Sequence, residues 1–252
     1  MSAPKLVTAC VLVIGNEILS GRTVDANLPW LARRLNQIGI ELKEARIIAD
    51  DEEVIVRTLN EVRTRFDYVF TTGGIGPTHD DITAASVAKA FGVKLIEHPE
   101  ALARLRGQYA DPTDLNPMRR RMAHVPEGAT LIDNPVSRAP GFRIGNVHVM
   151  AGVPAIMQAM FDGVAARLQG GDLVLSRTVT AALPEGKLAE GLAQIQDRYA
   201  ELSIGSYPHF RKGQLGVSIV LRGTDAGRLA RALEEVSSLM RALGAEPKED
   251  VA

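Results

Sequence analysis

The sequence predicts an α/β protein: a three-layer first domain with a mainly parallel sheet between helices, followed by a small α+β domain. Apolar strand-like runs alternate with helix-like segments through the first half, an order typical of a parallel sheet that helices cover on both faces. The run Gly170-Gly171-Asp172 then interrupts the pattern. We therefore expect one domain over residues 1–170 and a second over residues 171–252.

Hydrophobic periodicity places the elements of the first domain. Strands are expected at residues 7–14, 41–48, 68–72 and 93–97, with a hairpin at residues 142–150. The hairpin is expected because Gly145-Asn146 supplies the positive φ of a tight turn. Helices are expected at residues 27–38, after the capping residue Asp51, at residues 82–91, 99–109 and 154–168, and from Met118 toward His124. Residues 111–117 are rich in turn formers.

The second domain is expected to combine three strands with two helices. The strands are placed at residues 173–182, 203–207 and 215–222, and the helices at residues 187–199 and 226–243. Residues 245–252 contain few apolar side chains, so we expect them to form a tail outside the core.

Composition limits the classes of function. The 252 residues are 46% hydrophobic and 23% charged, as in ordinary globular proteins, and the net charge of −1 attracts neither nucleic acid nor an anionic membrane surface. No apolar run approaches the ~20 residues that span a bilayer, so a cytoplasmic protein without nucleic-acid or membrane partners is expected. Cys10 is the single cysteine and lies in an apolar run, which favours a buried hydrophobe over a nucleophile.

The strongest functional signal is the glycine loop, residues 73–83, which follows a predicted strand and precedes a helix. Glycines allow backbone N–H groups to approach a phosphate closely, and the start of a helix favours an anion. Candidate binding residues are Gly73, Gly74, Gly76, Thr78 and Thr83. The loop lacks the lysine of a P-loop. The structural alternative is a glycine-rich turn in which Asp81 caps the helix.

Acidic residues beside this loop predict a metal site. Asp80 and Asp81 would repel a pyrophosphate unless a divalent cation such as Mg²⁺ lay between them; solvated acids at a helix start are the alternative. Glu17 and Asp25 follow the first strand at the same sheet edge and could complete that site or contact a ribose, although Asp25 could equally cap the next helix. His79 is a candidate general acid or ligand contact.

Three further segments have open interpretations. Residues 134–142 could form a rim, with Gly141 allowing close approach and Arg138 contacting a phosphate, or could be a mere connector. Arg119-Arg120-Arg121 is typical of a solvated helix face, with ligand or partner contact as the alternative. His148 lies on an apolar hairpin strand and is expected to be structural.

The sequence resembles the MoaB/Mog molybdopterin-binding domain family in four motifs that occur in order: Gly15-Asn16-Glu17-Ile18-Leu19-Ser20-Gly21, residues 73–83, Ala139-Pro140-Gly141-Phe142 and Gly152-Val153-Pro154. The subtype resembles the amino-terminal part of competence/damage-inducible protein A (CinA), and the glycine loop is also similar to the molybdopterin-binding-like domain of FAD synthase. The resemblance covers roughly residues 5–168, and residues 171–244 resemble, more weakly, the small domain that follows in the same proteins. No segment resembles the amidohydrolase domain of long CinA proteins, so nicotinamide mononucleotide deamidation is not expected.

This resemblance implies two chemistries. Relatives of the CinA and FAD synthase types are associated with metal-dependent hydrolysis of a pyrophosphate link in ADP-ribose or FAD, whereas the adenylyltransferases bind molybdopterin and activate its phosphate. The transferases typically carry Arg-Asp where this chain has Asp80-Asp81, which favours the hydrolase with Mg²⁺, Mn²⁺ or Co²⁺. In the resemblance, Asp81 matches the functional aspartate, Asp25 a second acid, and Asn16 lies in the first motif as a candidate binding residue.

Two alternatives to a pyrophosphatase remain at this level. One is a molybdopterin-binding or adenylyl-transferring protein, and the other an interaction protein whose small domain mediates assembly. Since relatives are oligomeric, a homo-dimer or homo-trimer is expected. Ser137, Ala151 and Ile156 depart from common family residues, which puts the contribution of the rim in doubt.

Overall fold

The computed structural model describes residues 5–109, 111, 114–211 and 213–250. Packing divides the chain into two compact units, Lys5–Gly171 and a second that begins at Asp172. Part of the turn-rich stretch expected at residues 111–117, and the end of the tail expected at residues 245–252, lie outside the described residues.

The first unit is built on one six-stranded sheet. Its strands and those of a small separate sheet are β1 (Val7–Ile14), β2 (Ile40–Ile48), β3 (Tyr68–Thr72), β4 (Leu95–Glu97), β5 (His124–Pro126), β6 (Thr130–Ile132), β7 (Gly141–Ile144) and β8 (Val147–Met150). The main sheet has the order β2-β1-β3-β8-β7-β6. Strands β2, β1, β3 and β8 are parallel, and β7 and β6 are antiparallel additions at one edge. The expected mainly parallel sheet is therefore confirmed.

The helices of the first unit cover both faces of this sheet. They are α1 (Asn16–Leu19), α2 (Asn27–Gln37), α3 (Glu52–Val62), α4 (Thr83–Phe91), α5 (Pro99–Arg106), α6 (Pro117–Arg120) and α7 (Pro154–Ala165). The Asp51 carboxylate accepts a hydrogen bond from the backbone N–H of Val54 at 2.9 Å, which confirms the expected cap of α3.

Alternate side chains of β1 enter two different cores. Ala9, Val11 and Val13 pack with apolar residues of α2 and α7, whereas Cys10 and Leu12 pack with those of α3. A strand buried on both faces reads as a continuous apolar run. Cys10 is fully buried, and this burial raises the pKa of its thiol to about 12, so the expected hydrophobic role is confirmed.

Several expected elements differ in the structure. Helix α4 begins at Thr83 without a side-chain cap, so the interpretation of Asp81 as a helix cap is wrong. The helix expected from Met118 ends at Arg120, continues as one 3₁₀ turn, and gives way to strand β5 at His124. Strands β4 and β5 pair in a separate two-stranded sheet rather than in the main one.

The second unit is a two-layer α+β structure. Its elements are β9 (Leu175–Ala181), α8 (Ala189–Arg198), β10 (Ser203–Arg211), β11 (Gln214–Gly223), α9 (Ala226–Ala242) and β12 (Lys248–Asp250). The antiparallel sheet has the order β10-β11-β9-β12, and its core is formed with side chains of α8 and α9. The segment expected as a tail at residues 245–252 includes the unpredicted strand Lys248–Asp250, whose exposed residues pair with β9 through backbone hydrogen bonds that require no apolar side chain.

The described residues include no helix whose length and apolar character would let it cross a membrane.

Candidate functional site

Parallel pairing places the candidate loops at one edge of the main sheet. Strands β1 and β3 run side by side and end at Ile14 and Thr72, so the segments that follow them leave the sheet together. The backbone N–H of Gly73 donates to the carbonyl of Met150 at the end of β8, at 3.2 Å. Ligands of open α/β sheets bind at this carboxyl edge, which is where the structure brings the sequence motifs together.

Two residues of the glycine loop have backbones that only glycine accommodates well. Gly73 has a φ of 105° and Gly74 a φ of 67°. A Cβ on Gly73 would overlap the carbonyl oxygen of Ile14, and one on Gly74 would overlap the hydroxyl of Thr83. The loop therefore lies directly on the end of β1 and the start of α4.

Hydrogen bonds of two residues, Thr83 and Asp81, hold the shape of the loop. Thr83 is fully buried, and its hydroxyl donates to the carbonyl of Gly73 while its N–H donates to the carbonyl of Gly74, both at 3.0 Å. Oδ2 of Asp81 accepts hydrogen bonds from the backbone N–H of Thr78, at 2.8 Å, and from its hydroxyl. Thr83 thus supports the loop from beneath, and Asp81 closes its outer turn.

Three consecutive backbone donors at the start of the loop have no acceptor. Within the described part of the chain, the N–H groups of Gly74, Ile75 and Gly76 form no hydrogen bond. All three residues line a cavity and are only half-buried. Adjacent unpaired N–H groups of this kind form a concave anion-binding surface.

A cavity of about 600 Å³ lies over the loop and carries four carboxylates. Its acidic lining residues are Glu17, Asp50, Asp80 and Asp81. Among the described residues that line it there is no lysine, arginine or histidine. Gly73, Gly74, Gly76 and Thr78 line it as well. The cavity therefore combines uncharged N–H groups, which can donate hydrogen bonds to a phosphate, with four carboxylates. A bound anion would be repelled by these carboxylates unless a cation lay between them.

Arg121 reaches the loop with its side chain. Its guanidinium donates to the carbonyl of Asp81 at 3.4 Å, and it lines a smaller cavity of about 250 Å³ that Gly74, Gly76 and Asp81 also line. The two preceding arginines are directed elsewhere: Arg120 pairs with Glu97, and Arg119 donates to the carbonyl of Asp114. Three adjacent arginines look alike in sequence, so only the end of α6 shows which one reaches the site.

The remaining predicted site residues lie outside the main cavity. Asp25 accepts hydrogen bonds from the N–H groups of Asn27 and Leu28, at 3.3 and 2.8 Å, in the first turn of α2. His79 is exposed on the loop and lines neither of its two cavities. Gly141 is buried in β7, where a Cβ would overlap the carbonyl of Val149. Asn16 participates through its backbone, as described next.

Two residues at the site, Asp50 and Asn27, were not singled out from the sequence, and a third, Asn134, lies in the segment expected to form a rim. Asp50, which follows β2, accepts a hydrogen bond from the N–H of Asn16 at 2.8 Å and lines the cavity. Asn134 is buried, lines the same cavity and bonds both Ser137 and the carbonyl of Ala139 through its side chain. Asn27 donates from its side chain to the carbonyl of Gly152 at 2.7 Å. The strand that ends before Asp50 leads to the same edge, and the predicted rim at residues 134–142 includes Asn134, whereas no motif pointed to Asn27.

The carboxylates fit a metal only in a restricted way. In residues 5–109, 111, 114–211 and 213–250, no three His, Cys, Asp or Glu side chains are grouped to hold an ion. Asp81 and Asp50 already accept hydrogen bonds, and Asp25 is engaged at α2. The hydroxyl of Thr78 and the N–H of Asp80 hold the pKa of the exposed Asp80 carboxyl below its usual range. Mg²⁺ commonly takes one or two carboxylates and completes its shell with water and substrate phosphates, and this set of donors fits that mode.

Comparison with known proteins identifies the class. Residues 10–170 match the family described as "Probable molybdopterin binding domain", and the chain belongs to that family. Residues 173–248 match the family described as "FAD synthase, middle domain". The resemblance inferred from the sequence motifs is thereby confirmed.

Particular relatives place the chain near the CinA-like proteins. A CinA-like protein of Desulfosudis oleivorans is 37% identical over 195 residues, which cover 73% of this chain and 47% of the relative. A protein of Archaeoglobus fulgidus is 32% identical over 230 residues, covering 91% of this chain and 96% of the relative. The crystal structure of CinA from Thermoplasma acidophilum, described as of unknown function, superposes with a TM-score of 0.61 at 34% identity, covering 64% of this chain and 98% of that one.

Proposed function

We propose that the first unit binds a nucleoside diphosphate derivative of the ADP-ribose or FAD type and hydrolyses its pyrophosphate bond with the help of a divalent cation. The observation that carries this proposal is the cavity that joins three unpaired backbone donors, at Gly74, Ile75 and Gly76, to four carboxylates without a facing cation. A pyrophosphate satisfies the donors, and the cation that accompanies it offsets the carboxylates.

The protein's own groups have separate tasks in this reaction. The N–H groups of Gly74, Ile75 and Gly76 hold phosphate oxygens without adding charge. The exposed carboxylates of Asp80 and Glu17 line the cavity and bind the cation, whereas Asp81 keeps the loop closed through Thr78. When bound, a divalent cation neutralises charge on the phosphates and lowers the pKa of a coordinated water. Water adds to one phosphorus, the bridging P–O bond breaks, and two phosphate monoesters leave.

Arg121 is placed to contribute to the same reaction. Its guanidinium lies against the backbone of Asp81 in the adjoining cavity, and no carboxylate in the described part of the chain pairs with it. A guanidinium there can bind an oxygen on which negative charge develops. His79 sits on the exposed side of the loop, where it can contact the leaving part of a bound substrate.

The test is release of AMP from ADP-ribose, FAD and NAD in the presence of Mg²⁺, Mn²⁺ or Co²⁺. We expect metal-dependent turnover that Asp80→Asn and Glu17→Gln each lower by about 100-fold or more. Glu127→Gln is the matched control, because Glu127 is an exposed carboxylate outside both site cavities. Absence of turnover with all three metals, or equal activity of the three variants, would contradict the proposal.

Pterin binding is a second candidate that one finding favours. The family to which residues 10–170 belong is described as molybdopterin-binding. On this alternative the loop holds the phosphate of a molybdopterin-like ligand, either without hydrolysis or with transfer of an adenylyl group. Calorimetric titration with molybdopterin distinguishes the two: tight binding combined with no dinucleotide hydrolysis supports the pterin protein and excludes the pyrophosphatase.

A further inference from the structure

A second cavity, of about 650 Å³, lies at the opposite edge of the main sheet. It is bordered by Tyr68 at the start of β3, by His148 near the start of β8, and by Arg167 just beyond the end of α7. Because β3 and β8 are parallel, their first residues are at the edge remote from the glycine loop. None of its lining residues borders either of the two site cavities. Its volume is in the range of small-molecule sites, about 300–1,000 Å³.

His148 is a buried polar residue in the lining of this cavity. The residue is only 3% exposed, and Nδ1 has no hydrogen-bond partner among the described residues. Its ring is stacked on Phe70 with centroids 5.1 Å apart, and Tyr68 packs at 5.9 Å, so the imidazole is held in place. Burial lowers the pKa of His148 to about 4, which keeps the ring neutral near pH 7.

Two arginines beside this histidine are not engaged by carboxylates. Arg143 is the cross-strand neighbour of His148 on β7, and Arg167 lies on the other wall. Arg104, which also lines the cavity, is by contrast committed to Glu100 and Asp133 at 2.6 and 3.0 Å. In the parts of the chain that the structure describes, neither Arg143 nor Arg167 forms an ion pair. The lining therefore carries three arginines against the two carboxylates of Glu100 and Asp133, and its net charge is positive.

We propose that this cavity is a binding site for a small organic anion, whose carboxylate or phosphate group contacts Arg143 and Arg167 beside the buried imidazole of His148. Guanidinium groups bind carboxylate and phosphate in a bidentate manner. The aromatic ring of Tyr68 and the aliphatic side chains of Leu131, Ile132 and Val164 provide apolar surface for the carbon part of the ligand. The site is independent of the proposed hydrolysis, since no residue is shared.

Ring-nitrogen NMR of histidine-labelled protein tests the proposal with inorganic phosphate, glycolate and phosphoglycolate as probes. His148 reports on this cavity, and His79 reports on the glycine loop in the same titration, so binding at the two places is distinguished. His148→Gln assigns the resonance. We expect a saturable shift of His148 with phosphoglycolate at millimolar concentration or below, and glycolate and phosphate alone show which anionic group is recognised.

Substitutions test whether Arg143 contributes to binding of the anion. Arg143→Gln should weaken the affinity reported by His148 about tenfold. Arg33→Gln is the matched control: Arg33 is an exposed arginine on α2 that forms no ion pair within the described residues and does not line the cavity. Failure of every probe to shift His148, or equal effects of the two variants, would overturn the proposal. A His148 shift that follows protein concentration instead of the probe would also overturn it, since a second copy would then cover the cavity.

Discussion

Thr78 and Asp81 form a two-point contact in which one carboxylate oxygen, Oδ2 of Asp81, accepts from both the backbone N–H and the hydroxyl of Thr78. Asp80, the residue before Asp81, is exposed and lines the cavity. The two adjacent aspartates therefore have different structural roles: one maintains the turn of the glycine loop and the other faces the solvent of the cavity.

This difference predicts unequal effects of the two aspartates on stability. Asp81→Ala should lower the free energy of unfolding by about 1–2 kcal/mol, because two donors on Thr78 lose their acceptor. Asp80→Ala should change it by no more than about 0.5 kcal/mol. Urea denaturation measures both. A Thr78→Val and Asp81→Ala double-mutant cycle should give a coupling of about 0.5 kcal/mol or more.

Asp81→Asn separates loop support from chemistry. The amide oxygen of asparagine can still accept from Thr78, so stability should return close to that of the unaltered protein, while turnover stays low if the carboxylate charge is required. Full AMP release by Asp81→Ala would exclude a role for Asp81 in turnover.

The glycine loop should not tolerate a side chain at Gly74. Gly74 and Gly92 have the same φ of 67°, but a Cβ on Gly92 meets no neighbouring atom within 4 Å, whereas one on Gly74 overlaps Thr83. We expect Gly92→Ala to cost about 1–2 kcal/mol from backbone strain alone. Gly74→Ala should cost about 3 kcal/mol or more, because Thr83 must also give up its hydrogen bond to Gly73. If thermal or urea unfolding showed that both variants lose the same free energy of unfolding, the loop would have moved to accommodate the new side chain at position 74.

His148 predicts a stability change with pH. Its pKa is about 4 in the folded protein against an ordinary value of 6.5, so the unfolded chain takes up the proton first as the pH falls. The free energy of unfolding should therefore decrease between pH 6.5 and pH 4, by at most about 3 kcal/mol from this group. Urea denaturation at several pH values measures the slope.

Removing the imidazole should remove that slope. His148→Gln should flatten the pH dependence in this window, whereas His79→Gln, which removes an exposed histidine, should leave it unchanged. Carboxyl groups whose pKa is held below its usual range, such as Asp67 by hydrogen bonds from Thr8 and Glu97 by Arg120, lose their contribution at more acid pH. A slope that persists in His148→Gln would assign the effect to another group.

Cys10 should be unreactive in the folded protein. The thiol is fully buried in the centre of β1 and burial raises its pKa to about 12, so thiolate is scarce and reagents have no access. Labelling by an aromatic disulfide reagent should be complete in urea and should proceed in its absence only at the rate of unfolding. Immediate stoichiometric labelling without urea would contradict the burial of this strand.

Local sequence determined much of the first unit. The apolar run of β1, the cap at Asp51 and the hairpin turn at Gly145-Asn146 specify their elements through short-range burial, hydrogen bonding and backbone sterics. The glycine loop could be recognised for the same reason, since Gly73 and Gly74 are required by contacts within one strand-loop-helix segment.

Contacts between distant segments were decided by the tertiary structure alone. The recruitment of Asp50 by Asn16, the selection of Arg121 among three adjacent arginines, and the bond from Asn27 to Gly152 join segments whose separation no local pattern encodes. Strand β12 likewise forms by backbone pairing with β9, a partner some 70 residues earlier, without an apolar signal of its own. Sequence periodicity reports which face of an element is buried, but the identity of its neighbours depends on how the elements pack.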